Sequence, residues 1–203
     1  MQPGFAKRVG NRWMFALEFE INGDIPRTWS ELRGSLWLWA GGRLIGNLYE
    51  IETVKIGLDS LVEAAGENRA AASRILAACT RSEALKSVMW ARYGEDRDPP
   101  VRLGAVDQST LFSLEILPRR TGPFFDGWEA ILFDDGAEEH FIFREGEAET
   151  MESVWPMGTF GAVIAEARTE FERLAQSIEV IPIPTTIRTP CRRDISRLAP
   201  KWV

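Results

Sequence analysis

Histidine occurs once in this chain, as His140, and cysteine only twice, as Cys79 and Cys191. A metal site built on histidine or a Ser-His-Asp triad would therefore depend on His140, and no G-x-S-x-G motif accompanies it. The two cysteines have neither metal-site nor redox spacing. We interpret His140 as structural and both cysteines as reduced thiols, and we expect no metal, no cofactor and no enzymatic activity.

Long hydrophobic runs are also missing. No stretch approaches the roughly 20 apolar residues that a bilayer-spanning helix needs, and no apolar run follows the early basic residues as it would in a secretory signal. Positive charge is in deficit, with 24 lysines and arginines against 30 acidic residues and a net charge of −6. This balance disfavours a dedicated nucleic-acid binder. We therefore expect a cytoplasmic protein that binds neither membrane nor nucleic acid.

Aromatic residues are abundant, with eight tryptophans and eleven phenylalanines, and most of them must lie in the interior. In the stretch RWMFALEFEI, alternate positions from Trp13 to Ile21 are apolar, which predicts a half-buried strand. SLWLW, residues 35–39, is apolar at both parities, which predicts a strand covered on both sides. Gly41 and Gly42 then predict a hairpin turn. We interpret Trp37 and Trp39 as buried sheet wall, with a partner-binding role as the alternative.

Further along the chain, TLFSLEIL (residues 110–117) alternates like a strand, and Asp135-Gly136 predicts the turn of a second hairpin. Helices are expected between residues 59 and 94, with S/T-x-x-E capping boxes starting at Ser60 and Thr80. A last helix is expected to begin near Thr159. It carries one apolar stripe: Phe160, Val163, Ile164, Ala167, Phe171 and Leu174.

These elements indicate an α+β fold. We expect a single domain with a mostly antiparallel twisted sheet, built from two hairpins plus additional strands and packed against three to four helices. Residues 12–176 would form this domain, preceded by an N-terminal leader at 1–11. A proline-containing basic arm would follow at 177–203.

Charge is distributed unevenly along the chain. Residues 134–152 carry a net charge of −7, whereas residues 180–203 carry +4. A field of this kind steers a basic partner towards the acidic segment, although a solvated surface or the arm folded over its own hairpin would explain it equally well. The candidate partner-binding residues are Asp134, Asp135, Glu138, Glu139, Glu145, Glu147, Glu149 and Glu152.

The order of several motifs resembles the immunity protein 42 family of bacterial polymorphic toxin systems. The matching segments, which lie within about residues 12–175, are MFALEFEI, GSLWLWAGGRLIGNL, LDSLVEAAGENR, FFDGWEAILFDDGAEEHFIFR and VWPMGTFGAVIAEA. The resemblance implies a non-enzymatic cytoplasmic protein that binds and blocks a cognate toxin. Many such toxins are nucleases with basic substrate-binding surfaces, which an acidic patch could occlude.

Two other functions stay open at this point. A small carboxylate-dependent hydrolase or transferase would need acidic side chains that converge in a cleft. A ligand-binding or scaffold module would need an apolar pocket between sheet and helices. The sequence does not identify the toxin or the oligomeric state.

Overall fold

The computed structural model describes residues 5–22, 31–48, 50–76, 78–94, 108–117 and 123–178. The fold is α+β, with two antiparallel sheets. The first sheet contains β1 (Phe5–Gly10), β2 (Phe15–Ile21), β3 (Arg33–Ala40) and β4 (Arg43–Ile45), in that order, and β5 (Glu52–Thr53) pairs with β3. The second sheet has the order β6 (Trp128–Asp134), β7 (Glu138–Glu145) and β8 (Met151–Pro156).

Five helices are described, against the three to four expected. They are α1 (Val54–Gly66), α2 (Ala70–Leu76), α3 (Arg81–Tyr93), α4 (Gln108–Phe112) and α5 (Thr159–Ser177). Helix α5 begins at the predicted residue, and every member of its predicted apolar stripe is buried. No helix in the described part of the chain combines the length and apolarity needed to cross a membrane.

The second sheet separates two hydrophobic clusters. On one face, Phe141 and Phe143 join a large cluster with the first sheet, α1 and α5. On the other face, Ile131 and Ile142 join a smaller cluster with α2, α3 and α4. Both faces of β6 and β7 are therefore buried in the middle of the two strands, as the apolar run AILF in β6 requires.

Both predicted hairpins are present. Gly41 and Gly42 have φ angles of 55° and 78°, the positive values that a two-residue turn of this kind demands, and they join β3 to β4. Asp135 and Gly136 lie in the turn between β6 and β7, and Gly136 has a φ of 95°. In β3, Trp37 is buried at 9% exposure and Trp39 is half-buried. The predicted burial is therefore confirmed for Trp37 and only in part for Trp39.

Three predictions about individual elements are wrong. Trp13 is 80% exposed, because residues 11–14 turn before β2 begins at Phe15. Ser60 lies inside α1, which starts at Val54, so its S-x-x-E pattern caps nothing. The strand predicted over 110–117 is instead α4 followed by a short extended contact, in which Glu115 bridges Ile131 of β6.

The start of the chain contains a strand that its sequence pattern does not predict. Strand β1 lies within the predicted leader of residues 1–11 and pairs with β2 from Phe5 to Gly10. Its alternation is weak because Lys7 and Arg8 occupy its middle, so the sequence pattern does not mark it as a strand. Most of the predicted arm, from residue 179 onwards, lies outside the described residues.

Candidate functional site

The second hairpin positions the predicted acidic residues. At its turn, one carboxylate oxygen of Asp135 accepts hydrogen bonds from the backbone N–H groups of Ala137 and Glu138, each at 2.9 Å. The bond from Glu138, then that from Ala137 and the contact with His140 lower the pKa of Asp135 to about 2. This carboxylate is therefore ionised at any physiological pH, and it is exposed.

The acidic residues form two groups rather than one patch. Asp134, Asp135 and Glu138 lie at the turn between β6 and β7, which we call the turn group. Glu145, Glu147 and Glu149 lie at the opposite end of β7, in the connection to β8, and form the loop group. Strand β7 has eight residues, which separates the groups by roughly 24 Å at about 3.4 Å per residue. Five of these six side chains are exposed, and Asp134 is half-buried.

Glu139 does not belong to the acidic surface. It is 8% exposed and points to the opposite face of β7 from His140. Its carboxylate accepts hydrogen bonds from the Trp155 indole at 2.6 Å and from the backbone N–H groups of Gly158 and Phe160 at 3.0 and 2.9 Å. Glu139 thus satisfies free N–H groups at the start of α5, where a negative charge also complements the helix dipole.

Glu152 lies between the two groups and is tied to His140. The Nδ1 atom of His140 is 2.9 Å from Glu152, its Nε2 atom is 3.4 Å from Asp135, and its ring stacks on Phe133. Burial lowers the pKa of His140, but the hydrogen bonds and charges of Glu152 and Asp135 outweigh it, so the pKa is raised overall. Arg81 donates a 2.6 Å hydrogen bond to the other oxygen of Glu152. The single histidine is a partnered structural residue at the surface.

A groove of about 940 Å³ connects the two acidic groups. Its floor includes Phe133, His140 and Ile142 of the second sheet, and Arg81 and Lys86 of α3 form its basic side. Asp135 lies at one end, with Glu147 and Glu149 at the other. The groove is an open surface feature of mixed charge.

A second groove, of about 860 Å³, lies on the other side of the loop group. Here Glu145 and Glu149 face the first hairpin, whose Trp39, Gly41 and Gly42 also line the groove. The loop group therefore forms a ridge between two grooves, one of which leads back to Trp39 of β3.

Only one group of side chains in the described residues could be considered as a metal site. Asp135, Glu138 and His140 hold potential ligand atoms within 4.8 Å of one another. His140 contacts Asp135 through Nε2 and Glu152 through Nδ1, and these ion pairs explain why the groups lie close together.

The model of the family described as immunity protein 42 matches residues 7–170, most of the chain. The chain belongs to the immunity protein 42 family. It is therefore an immunity protein, a non-enzymatic inhibitor of a toxin. This function replaces the two alternatives, a carboxylate-dependent enzyme and a ligand-binding or scaffold module. The match begins within β1 and ends within α5, so it includes both sheets.

One solved structure supports the fold of this immunity protein. A crystal structure of CdiI from Burkholderia dolosa AUO158 is similar to it with a TM-score of 0.56 at 18% sequence identity. The similarity covers 81% of this chain and 99% of that one. Among curated proteins, none matches the sequence significantly. At this level of identity the solved structure establishes a shared fold and transfers no contact residues.

Proposed function

We propose that this immunity protein neutralises its cognate toxin in the cytoplasm by binding a basic surface of the toxin through the second hairpin. The observation that carries the proposal is the concentration of exposed carboxylates at both ends of β7. Carboxylates so placed attract a positively charged partner and raise its association rate. A nuclease fits this description, because its substrate-binding surface must be basic to bind phosphates.

The contact would comprise the turn group, the loop group and Glu152 between them. Glu139 is left out, because its carboxylate is consumed by the start of α5. Glu152 would contribute less than the exposed acids, since Arg81 and His140 already neutralise it. The proposal therefore assigns the recognition charge to the two exposed groups.

Charge reversal tests this assignment. The partner is the toxin domain encoded beside this chain, purified as an inactive variant, and association is followed by stopped flow at several salt concentrations. One variant replaces Asp134, Asp135 and Glu138 by lysine, and a second replaces Glu145, Glu147 and Glu149. A matched control reverses three exposed glutamates elsewhere, Glu63, Glu67 and Glu166.

We expect at least one test variant to lower the association rate about tenfold or more and to reduce its salt dependence, while the control stays near wild type. Equal rates for all three variants would contradict the assignment of the site. Failure of the wild-type protein to rescue cells that express the toxin domain would contradict the function itself. Fractionation of the cells tests the compartment.

A further inference from the structure

Trp13 is the most exposed large hydrophobic side chain in the described part of the protein, at 80%. Tryptophan side chains are normally well buried, since each carries a large apolar area. Trp13 follows Arg12 in the turn that joins β1 to β2, so neither sheet covers its ring. An apolar ring exposed to this extent gains free energy when a binding partner covers it.

The turn that carries Trp13 is held firmly. The side chain of Asn11 accepts the backbone N–H of Trp13 at 2.9 Å. Two backbone hydrogen bonds, from Gly42 to Arg12 at 2.8 Å and from Gly41 to Met14 at 3.0 Å, tie this turn to the first hairpin. The indole ring lies against Gly42, where a Cβ atom would come within 2.7 Å of it. The backbone that carries the ring is thus held before any partner arrives, which lowers the entropy lost on binding.

The side chains next to Trp13 are held in place by contacts with one another. The Arg12 guanidinium lies 4.0 Å above the Trp39 ring and donates a 2.9 Å hydrogen bond to Glu18. The Trp39 indole donates to the same carboxylate at 2.9 Å. Tryptophan and arginine are the residue types most enriched among the few that dominate interface energies. The turn and β3 therefore present a pre-formed surface of this composition.

This aromatic surface adjoins the acidic loop. Gly42, on which Trp13 packs, lines the groove whose opposite wall includes Glu145 and Glu149. The turn at Gly41 also approaches β8 closely, because a Cβ atom there would lie 2.5 Å from the hydroxyl of Ser153. Arg43 and Arg81 line the same groove, and Arg81 pairs with Glu152. The apolar anchor and the exposed carboxylates of Glu145 and Glu149 thus border one groove of mixed charge.

We propose that Trp13 is the apolar anchor of the toxin interface, inserting into an apolar pocket of the toxin while Glu145 and Glu149 pair with a basic rim around that pocket. This inference rests on the proposed function, and it specifies which end of β7 the toxin contacts. Charge favours one occupant: the exposed Glu145 and Glu149 attract a basic partner, whereas a second copy of this chain, with net charge −6, would bring like charges together.

Truncation of the ring tests the anchor. Binding of the inactive toxin domain encoded beside this chain is measured by surface plasmon resonance for wild type, Trp13→Ala and Trp13→Phe. The matched control is Ile56→Ala, which removes an apolar side chain of 55% exposure from α1. Urea unfolding of each variant verifies that the fold is kept, as expected for so exposed a residue.

We expect Trp13→Ala to weaken binding about 30-fold or more, mainly through faster dissociation, and Trp13→Phe to recover part of the loss. The salt dependence should stay that of wild type, because no charge changes. Ile56→Ala should bind like wild type. Wild-type affinity for Trp13→Ala would overturn the inference and leave the proposed function intact, whereas absence of wild-type binding would overturn both.

A second variant displaces the ring without removing it. Gly42→Ala places a methyl group against the indole, while Gly127→Ala has a similar φ, 83° against 78°, with no atom within 4 Å of its Cβ position. We expect weaker toxin binding for Gly42→Ala alone. Equal affinity of the two variants would show that the contact of the ring with Gly42 does not matter for binding. Self-association that Trp13→Ala abolishes, with toxin affinity unchanged, would assign the ring to a second copy and overturn the proposal.

Discussion

The carboxylate of Glu139 stabilises the start of α5 from a neighbouring strand. Helix α5 has Gly158 as its N-cap, and this residue offers no side chain to accept the first N–H groups. Glu139 reaches them from β7 and binds the Trp155 indole as well. One acidic residue of the second hairpin is therefore structural, while its neighbour Glu138 is exposed.

Replacing Glu139 by alanine should destabilise the protein by about 3 kcal/mol, because it leaves buried donors without an acceptor. Glu138→Ala is the matched control and should change the free energy of unfolding by at most about 0.5 kcal/mol. Urea unfolding measures both values. Similar values for the two variants would show that the hydrogen bonds of Glu139 do not stabilise α5.

His140 should make stability depend on pH. Burial lowers its pKa, but Glu152 and Asp135 raise it above the ordinary value overall, so the folded state binds the proton more tightly than the unfolded chain. This contribution is complete below the unfolded pKa of about 6.5 and is lost as pH rises through the folded pKa. The wild type should therefore lose stability relative to His140→Gln as the pH rises above about 6.5. Parallel unfolding profiles for the two proteins would contradict this expectation.

At the scale of elements, the same S/T-x-x-E pattern has two outcomes. At Thr80 both hydrogen bonds of a capping box are present, and α3 begins at the next residue. At Ser60 the pattern falls within α1, which β5 and the packing of Val54 and Leu58 start six residues earlier. The pattern marks a helix start only where its Ser or Thr has the extended backbone of an N-cap residue, as Thr80 does.

Thr80→Ala should therefore cost about 1 kcal/mol, since α3 loses its N-terminal acceptor. Ser60→Ala should be neutral within about 0.5 kcal/mol, because alanine is the better helix former at an internal position. Thermal unfolding of both variants provides the comparison. An equal loss for Ser60→Ala would indicate a cap that the structure does not contain.

For the whole molecule, the second sheet lies between the two hydrophobic clusters and contributes side chains to both. Adjacent residues of β7 face opposite ways, so Phe141 lies in the large cluster and Ile142 in the small one. Because one strand carries both, neither cluster can lose its packing without disturbing the other.

We expect Phe141→Ala and Ile142→Ala to shift one cooperative transition, by about 3 to 5 and about 2 to 5 kcal/mol respectively. Circular dichroism and tryptophan fluorescence should report coincident urea unfolding curves. Separate transitions in either variant would show that the clusters unfold independently.

The sequence by itself determined the features that depend on neighbouring residues. The Gly41-Gly42 and Asp135-Gly136 turns, the cap at Thr80 and the stripe of α5 are each specified by a few adjacent side chains. The order of its motifs also sufficed to indicate the family. The number of acidic residues in the second hairpin also follows directly from the sequence, because it does not depend on folding.

Only the tertiary structure decided where those acids lie and what they contact. Strand alternation turns Glu139 inward to α5, and the length of β7 divides the remaining acids into two groups. Trp13 fits the alternation of the following strand, yet the turn held by Asn11 and Gly42 leaves it exposed. These outcomes depend on partners distant in sequence, which a local pattern does not contain.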